Sequence, residues 1–69
     1  KEEARRKHRV EFLEKKIIAL EEELSRAQAK LDDETVNTDY KKVMAVEEEI
    51  KTIEEKLDPL ITEWTELSE

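Results

Sequence analysis

The chain has 69 residues, twenty acidic and thirteen basic, for a formal net charge of −7; charged side chains make up 48% of it and aromatics 4%, with no Gly, no Cys and a single Pro. That composition excludes more than one small domain, a thick globular core, disulfides and thiolate metal sites. It also argues against extensive β-structure, which wants Gly-bearing turns and aromatic runs, and leaves a disordered chain or a helical coiled coil.

The first element decides between the two. Val10, Leu13, Ile17, Leu20, Leu24, Ala27 and Leu31 follow a 3, 4, 3, 4 spacing without a polar defect. This is the a/d seam of a coiled-coil helix, with a at 10, 17, 24 and 31, and it predicts a helix over about 3–32. The next segment, Asp32 to Asp39, is crowded with Asp, Asn and Thr, whose side chains compete with helical hydrogen bonding. We read 33–38 as a loop, with Thr38 or Asn37 capping the following helix and Asp39 in its first turn. The second helix spans about 39–67 on the seam Val43, Val46, Ile50, Ile53, Leu57, Leu60, Trp64 and Leu67. Pro59 interrupts it at an outward c position, where the helix either kinks or breaks and restarts with Asp58 as N-cap and Pro59 at N1; we favour a kink because the seam stays in phase. Two helices of equal length and one short loop make an all-α, two-helix antiparallel coiled-coil hairpin forming one domain over 1–69. No apolar run approaches the ~18 residues of a membrane span. No signal peptide is visible, and the absent initiator Met leads us to expect a segment of a longer protein.

Charge fixes the register. Pairing seam residues whose numbers sum to 77, such as Leu24 with Ile53 and Leu13 with Trp64, sets Lys30 by Glu49, Glu23 by Lys56 and Lys16 by Glu63, all opposite in sign. A slip of one heptad makes all three pairs like-charged, a difference of roughly 2–3 kcal/mol at ~0.3–0.5 kcal/mol per exposed pair. The isolated chain is therefore expected to be a monomer. The competing parallel homodimer requires helix through 33–38. Glu21 and Glu54 form a like pair on the other flank.

No catalytic constellation is legible. Glu21-Glu22-Glu23 and Glu47-Glu48-Glu49 are runs on a solvated face with no pocket to shift a pKa. His8, the single His, sits at an outward f position without the companions a metal needs. Neither a phosphate loop nor a nucleophile with its base is present, so the chain is expected to be no enzyme and to hold no cofactor or metal. Trp64 belongs to the seam, Tyr40 is expected to cover the tip with Val36, and Phe12 and Ile18 fall off the seam, as docking contacts or as scattered exposure. Residues 1–16 carry seven basic and four acidic side chains; the rest carries six and sixteen. Arg5, Arg6, Lys7, Arg9 and Lys15 are the candidate phosphate-contacting residues, at the open end of the hairpin. Lys16 also lies there, assigned to Glu63.

The chain resembles one family throughout its length. Asp39-Tyr40-Lys41-Lys42-Val43, leading through Ile53-Glu54-Glu55-Lys56-Leu57 to Glu63-Trp64-Thr65-Glu66-Leu67, is similar to the C-terminal coiled-coil domain of ABC-F-type ATP-binding cassette proteins, and helix one with the Leu31-Asp32-Asp33 loop entry resembles its opening. Members usually carry a Pro in the loop, where Glu34 stands in this chain. The resemblance implies a parent protein with two tandem ATPase cassettes, using ATP and magnesium and acting on the ribosome in the cytoplasm. It also implies a hairpin arm that contacts DNA or ribosomal RNA and, with it, the parent's own cassettes. Two readings stay open at this point: a nucleic-acid-contacting arm, and a spacer or protein-interaction coiled coil, which the net charge of −7 favours.

Overall fold

A computed structural model describes residues 2–68. Helix α1 (Glu2–Lys30) and helix α3 (Tyr40–Ser68) pack antiparallel as the arms of an elongated hairpin, joined by a one-turn helix, α2 (Glu34–Asn37). The rod measures 54 × 14 × 14 Å. No helix is long and apolar enough to cross a membrane.

The seam is the core. Leu13, Ala27, Val46, Ile53 and Leu57 are buried, and the other seam positions of both helices are half-buried. Ala27, Ile53 and Leu57 cluster, with Ile17, Leu20, Leu24 and Ile50 packed against them. Away from the seam only Val36, Asp39 and Glu63 leave the exposed class among the described residues. One layer of side chains between two helices is all the apolar surface this composition can bury, so the hydrophobic effect acts along a line rather than around a centre.

The connection differs from the expected loop. Helix α1 closes with tight i→i−3 bonds, the amides of Leu31, Asp32 and Asp33 donating to the carbonyls of Gln28, Ala29 and Lys30. Asp33 then caps α2: its Oδ1 accepts from the Thr35 amide at 2.9 Å and from the Thr35 hydroxyl at 2.8 Å. The hydroxyl of Thr38 donates to the Glu34 carbonyl at 2.6 Å. Side chains that disfavour helix interiors have become caps, and the segment folds into a turn of helix. The cap of α3 is Asp39, not Thr38 or Asn37, because its Oδ1 accepts from the Lys41 and Lys42 amides at 3.1 and 3.4 Å. Tyr40 does not cover the tip: it is 76% exposed, and Val36 alone is tucked in.

Helix α3 runs unbroken through Pro59. The seam residues on either side, Leu57 and Leu60, stay buried and half-buried, so side-chain packing holds the turn where Pro removes a backbone donor.

Candidate nucleic-acid interface

The five basic residues proposed from sequence are all exposed, and all lie on the first half of α1. They do not form a single patch. Arg5 and Arg9 fall one turn apart at positions c and g, on the same flank as Phe12 and Lys16, and Lys15 lies beside that flank on the outer surface. Arg6 and Lys7 turn the other way, lining a shallow groove at the open end with Val10, Glu14 and Leu67.

Arg9 is engaged. Its Nε donates to Glu63 Oε2 at 2.6 Å and its Nη2 to Glu63 Oε1 at 2.9 Å, a two-pronged bond between α1 and α3. The guanidinium also lies over the Phe12 ring, 5.1 Å from its centroid, and the Lys16 ammonium lies 5.9 Å from the same centroid. Glu63 therefore pairs with Arg9 rather than with Lys16, as the register argument had it. In an antiparallel seam a g-position carboxylate sits between two g-position cations of the other helix. A planar fork that satisfies both oxygens and stacks on a ring wins over a point charge. Hydrogen bonding to Arg9 holds the Glu63 carboxyl below its ordinary value, the cation's field adding to it, and Glu63 in turn raises the Arg9 guanidinium. Phe12, unexplained in the sequence, is the ring under these two cations.

Of the other charge pairs, Lys30 and Glu49 form the ion pair expected, at 3.1 Å. Glu23 and Lys56 line one groove with them but form no ion pair, and among the described residues the two interhelical bridges are Arg9–Glu63 and Lys30–Glu49. The shared grooves of Lys30 with Glu49 near the linker and Val10 with Leu67 at the open end are those of the chosen register.

Sorting charges along the chain overlooked their sorting across it. Positions g and c of the two helices carry Arg5, Arg9, Lys16, Arg26, Lys30, Lys42 and Lys56 against Glu2, Glu23, Glu49, Glu63 and Glu66. Positions e and b carry Glu11, Glu14, Glu21, Glu47, Glu54 and Asp58 against Lys7 and Lys51. One flank is mildly basic along most of its length, and the other is acidic. The heptad assignment already contained this signal. The Glu21–Glu54 like pair is one rung of the acidic flank.

Trp64 is half-buried in the seam, with one side on a groove between the helices. Its indole Nε1 is enclosed and has no hydrogen-bond partner. Among the described residues no three His, Cys, Asp or Glu side chains gather as a metal site.

A family model described as the ABC transporter C-terminal domain matches residues 1–69. No curated protein and no solved structure matches the chain.

Proposed function

The chain belongs to the ABC transporter C-terminal domain family, and on that footing we propose that it is the accessory hairpin arm of a cytoplasmic ABC-F-type ATPase, touching nucleic acid, ribosomal RNA or DNA, in a translation-linked role. It is a small helical domain in which no catalytic residues are evident among the described residues, and in this reading ATP and magnesium chemistry belongs to cassettes elsewhere in the parent chain. The observation that supports nucleic-acid contact is the set of exposed cations on the first half of α1: Arg5, Arg6 and Lys7 on one turn and Lys15 about two turns on, which form no ion pair among the described residues. Arg9 contributes charge but not a free fork, since Glu63 holds it.

Binding of this kind is electrostatic and indifferent to sequence, because no cluster of exposed aromatic side chains accompanies the cations. About three phosphates neutralised give a log–log salt slope of roughly −3 on duplex DNA. Repulsion from the acidic remainder holds the affinity at physiological salt to about 10 μM or weaker, in the range of non-specific contacts. Titration of labelled duplex DNA and structured RNA at two salt concentrations tests this. Arg5→Glu with Lys15→Glu should abolish binding, whereas Lys41→Glu with Lys42→Glu should weaken it less. No binding at low salt favours the spacer or protein-interaction reading, which the acidic flank supports. The monomeric state expected of the isolated chain is checked by sedimentation equilibrium.

A further inference from the structure

The groove on the acidic flank is lined by none of the candidate phosphate-contacting residues, and its chemistry is distinctive. Ile17, Ile18, Ile61 and Trp64 form its floor and walls, Glu14 and Glu21 stand at its rim, and its open volume is about 310 Å³. Ile18 is 57% exposed and Ile61 40%, far more than the seam needs. The three positions Glu14, Ile18 and Glu21 are spaced four and three apart on α1, so carboxylate, apolar and carboxylate follow one another up a single stripe of the helix.

We propose that this groove is the docking site of a basic amphipathic helix from a partner protein, which lays an aliphatic stripe over Ile18, Ile61 and Trp64 and sets Lys or Arg side chains against Glu14 and Glu21. Charge complementarity selects this occupant. Nucleic acid is repelled, because the flank carries six carboxylates against Lys7 and Lys51. A second copy is disfavoured, because a two-fold contact through this face would set Glu14 and Glu21 of one chain against the same acidic flank of the other. A helix suits the groove's direction, which follows the furrow between two antiparallel helices and admits a third as a coiled-coil neighbour. The proposal is independent of the nucleic-acid reading, since it uses none of the residues of the cationic run.

The single Trp of the chain reports on the site directly. The probe is a synthetic 16-residue helical peptide with Leu at every third and fourth position and Lys on both sides of that stripe, titrated into the intact chain while the emission of Trp64 is followed. A saturable shift in emission is expected. Glu14→Lys with Glu21→Lys should weaken binding about tenfold or more, since each exposed ion pair contributes a few-fold at most and both are reversed. Ile18→Ser should weaken it comparably by removing the apolar wall. Circular dichroism confirms that these exposed substitutions leave the hairpin folded. Glu22→Lys with Glu48→Lys, at outward positions, should change affinity far less. Arg5→Glu with Lys15→Glu should leave peptide binding intact even where nucleic-acid binding is lost. Three results would overturn the proposal: equal binding of the peptide with Glu in place of Lys, equal loss from the outward reversals, or the same Trp64 shift produced by duplex DNA. Self-association of the chain without peptide, abolished by Ile18→Lys, would also overturn it by assigning the groove to a second copy.

Discussion

Replacing Trp64 in two ways separates its packing from its polarity. The ring is half-buried in the seam, and its N–H is enclosed without an acceptor. Trp64→Ala removes the whole ring; full burial of a large side chain is worth about 3–5 kcal/mol on truncation, and a half-buried ring at an open groove should lose about 2–3 kcal/mol. Trp64→Phe keeps most of the apolar contact and removes the stranded donor. The packing lost is about 1 kcal/mol, while an unsatisfied buried donor costs about 1–3 kcal/mol, so the change should fall between neutral and about 2 kcal/mol stabilising. Against a total of roughly 3–10 kcal/mol for a domain of this length, the two variants should be far apart. Urea unfolding followed by circular dichroism at 222 nm reads both, since the fluorophore is gone in each. A Phe variant destabilised by about 2 kcal/mol or more would refute the reasoning, because the indole would then be gaining a hydrogen bond that the enclosed geometry denies it.

Two further outcomes follow from the caps and the bridge. Asp39→Ala should destabilise the hairpin by about 1 kcal/mol in thermal unfolding, with Asn37→Ala costing less, because Asp39 receives the α3 amides; the reverse order would return the cap to the linker. Glu63 has a lowered carboxyl pKa in the folded chain, chiefly through its hydrogen bonds from Arg9. The stability it contributes is therefore complete above the ordinary glutamate value and is lost as pH falls through the lower folded value. The gap between the native chain and Glu63→Gln should be flat above the ordinary glutamate range and close as the pH falls below it. A gap that widens in acid would show that the bridge does not set that carboxyl.

The seam was legible in the sequence because it is a periodic signal: the a and d positions from Val10 to Leu31 and from Val43 to Leu67 are the ones the fold covers. Burial follows from period, and period is printed in the chain. Partner choice among exposed charges is not periodic. Lys16 and Arg9 are both g-position cations flanking Glu63 in the seam, and the decision rests on the shape of a guanidinium and a ring at position 12, which heptad letters do not encode. The linker was misread for a related reason. Asp33, Thr35 and Thr38 disfavour a long helix but are good at starting and closing a short one. The candidate interface was half legible: its residues are exposed as expected, but counting charge along the chain hid that Arg6 and Lys7 face away from Arg5 and Arg9. The docking groove needed three dimensions, since Ile18 and Ile61 are forty-three positions apart and look like isolated exposed residues until the helices are folded together.

A rod 54 Å long and 14 Å across encloses nothing. Whatever such a domain recognises, it must do so with its outside, and its discrimination depends on where its base is held. If the open end is fixed, the tip at α2 sweeps a circle whose radius is set by helix length alone. Lengthening both helices by one heptad would carry the tip about 10 Å farther. The same insertion would keep every seam residue in phase. Reach and packing are thus independently adjustable in this architecture, so chains of this design can be fitted to targets at different distances without redesigning what holds them together.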